Sequence, residues 1–151
     1  MIRRPLVMLA FLLLVVGGGL LIGFFNMPGP WYQALAKPPF NPPNWLFGPA
    51  WTILYVLIAI AGWRVWLRDQ TSSLMKLWWL QLAFNFLWSP VFFGLERIAP
   101  ALMVVTALLV TVIAFIGVGW RRDRASSLLF VPYAGWVAFA TLLNLSIWLL
   151  N

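Results

Sequence analysis

The chain has 151 residues, of which 64% are hydrophobic and only 9% are charged, and its mean hydropathy is +0.94. These values lie far outside the range of soluble domains, so we predict one integral membrane domain covering residues 1–151. The absence of cysteine and histidine excludes disulfides, thiolate nucleophiles, imidazole bases and the usual ligands of zinc, copper and haem iron. We therefore expect no metal site and no resident cofactor.

Five apolar segments predict an all-α bundle of five transmembrane helices, at about residues 5–25, 45–67, 74–94, 99–119 and 126–150. The first segment follows Arg3 and Arg4 and has the charge pattern of a signal peptide. Its apolar run continues to Phe25 with no small-residue cleavage site, and about 20 residues rising 1.5 Å each cross a bilayer. We therefore interpret it as a helix, in which Gly19 and Gly23 would allow another helix to approach closely.

The connector at residues 26–44 is rich in proline and aromatic residues. Six of the eleven prolines lie between Pro28 and Pro43, and because proline fixes φ and removes a backbone donor, we expect no regular helix there. Large apolar side chains such as Trp31 and Phe40 are costly to leave in water. We therefore predict that the connector folds back onto apolar protein as a lid.

Three of the predicted helices carry aromatic or polar side chains along one face. Polar groups inside a membrane need partners because lipid offers none, so these faces should meet other helices, water or a ligand. Pro90 should loosen the third helix near its end. The faces are Trp51, Tyr55, Ile58 and Gly62 on the second helix, Gln81, Asn85, Trp88 and Ser89 on the third, and Trp136, Ala140 and Asn144 on the fifth.

The basic residues are distributed unevenly between the two sides of the predicted bundle. Eight of them share the side of the amino terminus and two lie on the other side. The eight are Arg3, Arg4, Arg64, Arg68, Lys76, Arg121, Arg122 and Arg124, and the two are Lys37 and Arg97. The positive-inside rule then predicts a cytoplasmic amino terminus, with the lid and the carboxyl terminus outside. This placement also explains the formal charge of +7 without nucleic acid as a partner.

Acidic side chains are absent from the interior of the predicted spans. Asp69, Glu96 and Asp123 all lie at span ends, so we do not expect ion-coupled transport, which usually needs an ionisable group near the membrane centre.

The remaining candidate site is an uncharged aromatic cavity under the lid, suited to a flat, largely apolar ligand with a few hydrogen-bonding groups at its edge. Trp51, Trp88 and Trp136 lie in the outer half of their predicted spans, and for them a pocket-lining role and a place in the interfacial aromatic belt remain open alternatives. For Asn85 and Asn144 the alternative is interhelical hydrogen bonding, and both roles can coexist. Lys37 would meet an anionic ligand edge or would simply be solvated. The candidate residues are Trp51, Tyr55, Asn85, Trp88, Ser89, Trp136 and Asn144, capped by Tyr32 and Lys37.

Three separate stretches resemble one known family, and they occur in the family's order. They read WYQALAKPPFNPPNWLFGPAWTILY at residues 31–55, QLAFNFLWSPVFFG at 81–94 and VPYAGWVAFATLLN at 131–144. The chain resembles the translocator protein or tryptophan-rich sensory protein family (TspO/MBR), also called peripheral benzodiazepine receptors. The resemblance implies a five-helix bundle, often dimeric, whose pocket accepts porphyrins, benzodiazepine-type and isoquinoline ligands and, in some members, sterols.

The resemblance also assigns roles by motif position. Trp51 and Asn85 would donate hydrogen bonds to a ligand carbonyl. No basic residue follows Arg124, so the cholesterol-recognition motif of animal members is missing and high-affinity cholesterol binding is not expected. The implied pocket positions are Tyr32, Trp51, Tyr55, Asn85, Trp88, Ser89, Trp136 and Ala140.

Three functional hypotheses follow. The first is a porphyrin-binding protein, transport-like or sensory, for protoporphyrin IX and haem-related tetrapyrroles, acting as a homodimer in a bacterial cytoplasmic membrane, with the tetrapyrrole as ligand and not as cofactor. The second is light-dependent oxidative degradation of protoporphyrin, for which the resemblance implicates Trp51 and Trp136. Without histidine, cysteine or an intramembrane acid, such a reaction must use the ligand's own photochemistry, with an indole as electron donor. The third is a scaffold whose aromatic residues only pack and anchor.

Overall fold

The computed structural model describes residues 3–151, and this part of the chain is helical, without strands. Met1 and Ile2, which begin the predicted single domain 1–151, lie outside the described residues. Within the described range there are six continuous helical stretches. They are α1 (Arg3–Phe25, with a π-helical segment at Leu13–Gly17), α2 (Pro30–Ala34), α3 (Asn44–Arg68), α4 (Ser73–Ser89, continued as a π-helix at Pro90–Gly94), α5 (Ile98–Arg122) and α6 (Arg124–Leu150).

Four of these helices, α1, α3, α5 and α6, are long and apolar enough to cross a membrane. The α-helical part of α4 has 17 residues, fewer than the usual ~20 of a membrane span. It ends at Ser89, and the N–H of Leu95 donates to the carbonyl of Pro90, five residues back, at 2.8 Å. The prediction that Pro90 loosens this helix is therefore confirmed, whereas the count of five spans is not.

The expectation that no regular helix forms between Pro28 and Pro43 is wrong at one place. The short helix α2 begins at Pro30, where a missing N–H costs nothing because the first turn of a helix has no acceptor for it. The segments on either side of α2, residues 26–29 and 35–43, follow the prediction and are not helical.

Small residues allow two aromatic side chains to pack directly against helix backbones. A Cβ added to Gly62 would collide with the ring of Trp78, whose indole N–H donates to the carbonyl of Ile58 at 2.9 Å. A Cβ added to Gly19 would collide with the ring of Tyr55, as the prediction of close approach requires. Gly23 differs, because an added Cβ there meets no atom within 4 Å.

The end of the bundle that carries most of the basic residues is held together by one buried carboxylate. Asp123 accepts a hydrogen bond from Arg64 Nη2 at 3.0 Å, lies 3.8 Å from Arg68 Nε, and caps the start of α6 by accepting from the N–H of Ser126. Burial alone would raise the pKa of Asp123, but the hydrogen bonds from Arg64 and Ser126 outweigh it and hold the pKa below its ordinary value. This carboxylate ties α3 to the junction of α5 and α6.

Candidate functional site

A cavity of about 540 Å³ lies under the lid, between α1, α3, α4 and α6. This volume is within the range of pockets that hold drug-sized ligands. The structure brings all nine predicted ligand-binding residues to its wall, although their role in binding stays a prediction. They are Tyr32, Trp51, Tyr55, Asn85, Trp88, Ser89, Trp136, Ala140 and Asn144.

The aromatic residues form two perpendicular surfaces in this cavity. The rings of Trp51 and Tyr55, one helical turn apart on α3, stack with centroids 5.6 Å apart and an interplanar angle of 28°. Trp136 on α6 meets Trp51 edge to face, with centroids 6.3 Å apart and an angle of 88°. The cavity therefore presents an aromatic corner against which a flat ring system packs.

Asn85 belongs to a hydrogen-bonded chain whose central residue the sequence reasoning missed. Asn85 Nδ2 donates to the hydroxyl oxygen of Tyr133 at 2.6 Å, and this hydroxyl donates to Gln81 Oε1 at 2.8 Å. Tyr133 is fully buried, and it lies three residues before Trp136, on the same face of α6. That spacing, together with the need of Gln81 and Asn85 for a partner, was the signal in the sequence.

Asn144 also bonds between helices. Its Oδ1 accepts from the indole N–H of Trp88 at 3.0 Å, and its Nδ2 donates to the carbonyl of Ile98 at 3.1 Å. The interhelical alternative is therefore confirmed for both asparagines. The side-chain nitrogen of Asn85 carries two N–H groups, and within residues 3–151 only one of them makes a hydrogen bond, so the other is left for a ligand.

Tyr32 and Asn151 both help to fasten the lid. Tyr32 is buried, its hydroxyl donates to Asn41 Oδ1 at 3.3 Å, and its ring packs on Phe93 with centroids 5.3 Å apart. Burial raises the pKa of the Tyr32 hydroxyl, with the Asn41 hydrogen bond acting in the opposite direction, so this residue is neutral at physiological pH. The side chain of Asn151 hydrogen-bonds both the N–H and the carbonyl of Ala36.

Lys37 does not line the cavity. Its Nζ lies 4.6 Å from the ring centroid of Tyr32 and donates to the carbonyls of Gln33 and Leu35, at 3.3 and 3.1 Å. The lysine thus fastens the end of α2 instead of projecting toward a ligand. Among the described residues, no charged side chain lines the cavity, and no cluster of three or more acidic side chains could hold a metal ion.

Comparison with known proteins decides the family. Residues 10–149 match the family model described as the TspO/MBR family. The chain belongs to the TspO/MBR family. It is 44% identical over 133 residues to Protein CrtK of Rhodobacter capsulatus, covering 85% of this chain and 83% of that protein. It is 42% identical to Tryptophan-rich protein TspO of Archaeoglobus fulgidus (95% and 96% covered) and 35% identical to the human Translocator protein (78% and 73% covered).

The predicted family is thus confirmed, and with four membrane-length apolar helices this TspO/MBR protein is an integral, multi-pass membrane protein. The indole N–H of Trp136, in the wall of this cavity, is buried and makes no hydrogen bond within residues 3–151. An unpaired buried donor costs about 1–3 kcal/mol, so this wall is not fully satisfied in its hydrogen bonding.

Proposed function

We propose that this TspO/MBR protein binds porphyrins, notably protoporphyrin IX and haem-related tetrapyrroles, and other flat hydrophobic ligands, as a transport-like or sensory protein. One observation carries the proposal: the rings of Trp51 and Trp136 are perpendicular, with centroids 6.3 Å apart, in a cavity that no charged side chain lines within residues 3–151. Stacking on indole faces provides affinity without a charged partner. The name of the human relative, Translocator protein, agrees with a transport-like role.

A titration with protoporphyrin IX tests the proposal. The Trp51→Ala, Trp136→Ala double variant should bind at least about 30-fold more weakly, because each lost aromatic contact is worth about 1 kcal/mol or more. Trp148→Ala is the matched control, since Trp148 is also on α6 but is exposed and does not line the cavity. Binding should be followed by porphyrin absorbance, which does not depend on the number of tryptophans. Equal affinity of the double variant and the parent would refute this site.

The scaffold hypothesis predicts a different result. If the aromatic residues only pack, no flat ligand raises the melting temperature of the protein, whereas a ligand that binds the folded state alone must raise it.

The membrane arrangement proposed with this function has five spans. The 17 residues of Ser73–Ser89 and the five of Pro90–Gly94 follow each other without a break, which supports α4 as the fifth. The start of α1 and the end of α3 lie together, since Trp63 Nε1 donates to the carbonyl of Arg4 at 3.0 Å, and this supports a common cytoplasmic side for the basic residues there.

We propose that the lid faces outward from a bacterial cytoplasmic membrane and that the protein is a homodimer. Reactivity of a tag placed in residues 35–43 toward an impermeant reagent in intact cells tests the orientation. Light scattering of the purified protein tests the oligomeric state.

Light-dependent oxidative degradation of protoporphyrin is the second candidate. The edge-to-face pair of Trp51 and Trp136 favours it, because a photoexcited porphyrin stacked there has two indoles as neighbouring electron donors, with dioxygen as the oxidant. Illumination of the protein with protoporphyrin under air should give products and rates that differ from those with an inert membrane protein. Identical products and rates would contradict this candidate without affecting the binding proposal.

A further inference from the structure

Two glycines mark a gap between the lid-side ends of α1 and α3. Gly23 and Gly48 both line the cavity, and a Cβ added to either would meet no protein atom within 4 Å. Their neighbours Phe24 and Trp45 also line the cavity and are 69% and 71% exposed. The cavity therefore reaches the lipid-facing surface of the bundle here. We call this gap, between Gly23 and Gly48, the side opening.

The opposite part of the rim is closed. Tyr32 packs on Phe93 of α4, and the lid residue Phe40 packs on Phe139 of α6, with ring centroids 5.3 and 6.2 Å apart. The two hydrogen bonds between Ala36 and the side chain of Asn151 add a further attachment beside α6. These three attachments hold the lid to α4 and α6, which leaves the side of α1 and α3 as the open one.

The side opening lies close to the level of the membrane surface. Gly23 is two residues before the end of α1, and Gly48 is four residues after the start of α3. At 1.5 Å per residue these positions are roughly 3–6 Å from the helix ends. The exposed Trp45 beside them is typical of the aromatic belt at a membrane–water interface.

We propose that the ligand passes sideways between the cavity and the membrane interface through the side opening, and this inference rests on the proposed function. Ligands of this class are flat amphiphiles that dissolve in the membrane, with an apolar ring system and an ionised edge. Within residues 3–151 no charged side chain lines the cavity, so a carboxylate drawn fully inside would lose its hydration without gaining a partner. The ring system enters the aromatic corner, and the ionised edge stays among the lipid headgroups.

Exchange kinetics of protoporphyrin IX test the side opening, with the full chain in lipid nanodiscs and rapid mixing. A Cβ added to either glycine meets no protein atom, and a leucine side chain there narrows the route, so Gly23→Leu and Gly48→Leu should each lower both the association and the dissociation rate about tenfold. The dissociation constant, which is the ratio of the two rates, should change much less. Gly23→Ala and Gly48→Ala should give intermediate rates, which gives a graded dependence on side-chain size.

Gly135→Leu is the matched control, because Gly135 also faces open space but lies on α6 away from the cavity, and its rates should equal those of the parent. Unchanged rates in both leucine variants, with binding intact, would overturn the side opening while leaving the proposed function standing. Faster exchange in Asn151→Ala with unchanged glycine variants would show passage under the lid instead. A parent that does not bind protoporphyrin would refute the proposed function and this inference with it.

Discussion

The side-chain amide of Asn151 pairs with the backbone of Ala36 through two hydrogen bonds. The N–H of Ala36 donates to Oδ1 at 3.1 Å, and Nδ2 donates to the carbonyl of Ala36 at 2.9 Å. Nδ2 also donates to the carbonyl of Ile147 at 2.7 Å, which fixes the amide relative to α6. One residue thus joins the lid to the helix that supplies Trp136 and Asn144 to the cavity.

Asn151→Ala should increase the local opening of the lid. Both hydrogen bonds to Ala36 are exposed, so together they should stabilise the closed lid by about 1 kcal/mol, and the opened population should rise about fivefold. Hydrogen exchange measured by mass spectrometry on a peptide covering residues 35–43 checks this. Thr106→Ala, which removes an exposed hydrogen bond from the threonine hydroxyl within α5, is the control. Equal hydrogen exchange in the parent, Asn151→Ala and Thr106→Ala would contradict the role of Asn151.

Tyr133→Phe should destabilise the bundle by about 1–3 kcal/mol, because it leaves both Asn85 and Gln81 without their buried partner. Thermal unfolding in detergent, monitored by circular dichroism, measures the loss. Thr141→Val is the control on the same helix, since its hydroxyl bonds only the carbonyl of Val137 one turn earlier. A Tyr133→Phe variant as stable as this control would show that the buried chain of hydrogen bonds adds nothing.

Gly62→Ala should be destabilising by about 1–3 kcal/mol, because the added methyl collides with the ring of Trp78 in a packed interior. Gly135→Ala should instead stabilise by up to about 1 kcal/mol, since it meets open space and alanine favours the helix. Opposite shifts in melting temperature are the expected outcome. Shifts of the same sign in the two variants would argue against the tight contact at Trp78.

Asp123→Asn should be destabilising by about 1–3 kcal/mol at pH 7, because asparagine can still cap α6 but loses the charge that pairs with Arg64. The pKa of Asp123 is depressed in the folded state, so its contribution is present above the unfolded-state pKa of about 3.9 and is lost as the pH falls through the lower folded-state pKa.

Denaturant unfolding of parent and variant at pH 7 and at acid pH measures the effect of Asp123, and the difference should shrink on acidification. Asp69→Asn is the control. The Thr71 N–H and hydroxyl lower the pKa of Asp69 too, but this carboxylate is exposed and its loss should change stability little. A difference for Asp123 that stays constant with pH would show that its charge is not the cause.

Much of the site was predictable because helix periodicity fixes which residues share a face. Trp51 and Tyr55 stack one turn apart on α3, as their spacing of four residues predicts. The same spacing cannot say which neighbour a polar group meets, so Tyr133 was missed as the partner of Asn85. The sequence predicts Lys37 either at the mouth of the cavity or in solvent, but its Nζ instead donates to the carbonyls of Gln33 and Leu35. These bonds depend on the turn at the end of α2, which the prediction of an irregular loop did not contain.

By itself, the sequence determined the membrane class, the family, the positions of the five long helices to within a few residues and the faces that carry the cavity residues. These properties follow from hydropathy, period and motif, which are local along the chain. Only the tertiary structure decided that Asp123 pairs with Arg64 and that Asn151 hydrogen-bonds Ala36. It also decided that the ring of Tyr55 fills the space beside Gly19 while the space beside Gly23 is open. Such pairings depend on how helices far apart in sequence are rotated and spaced, and local sequence patterns do not specify that geometry.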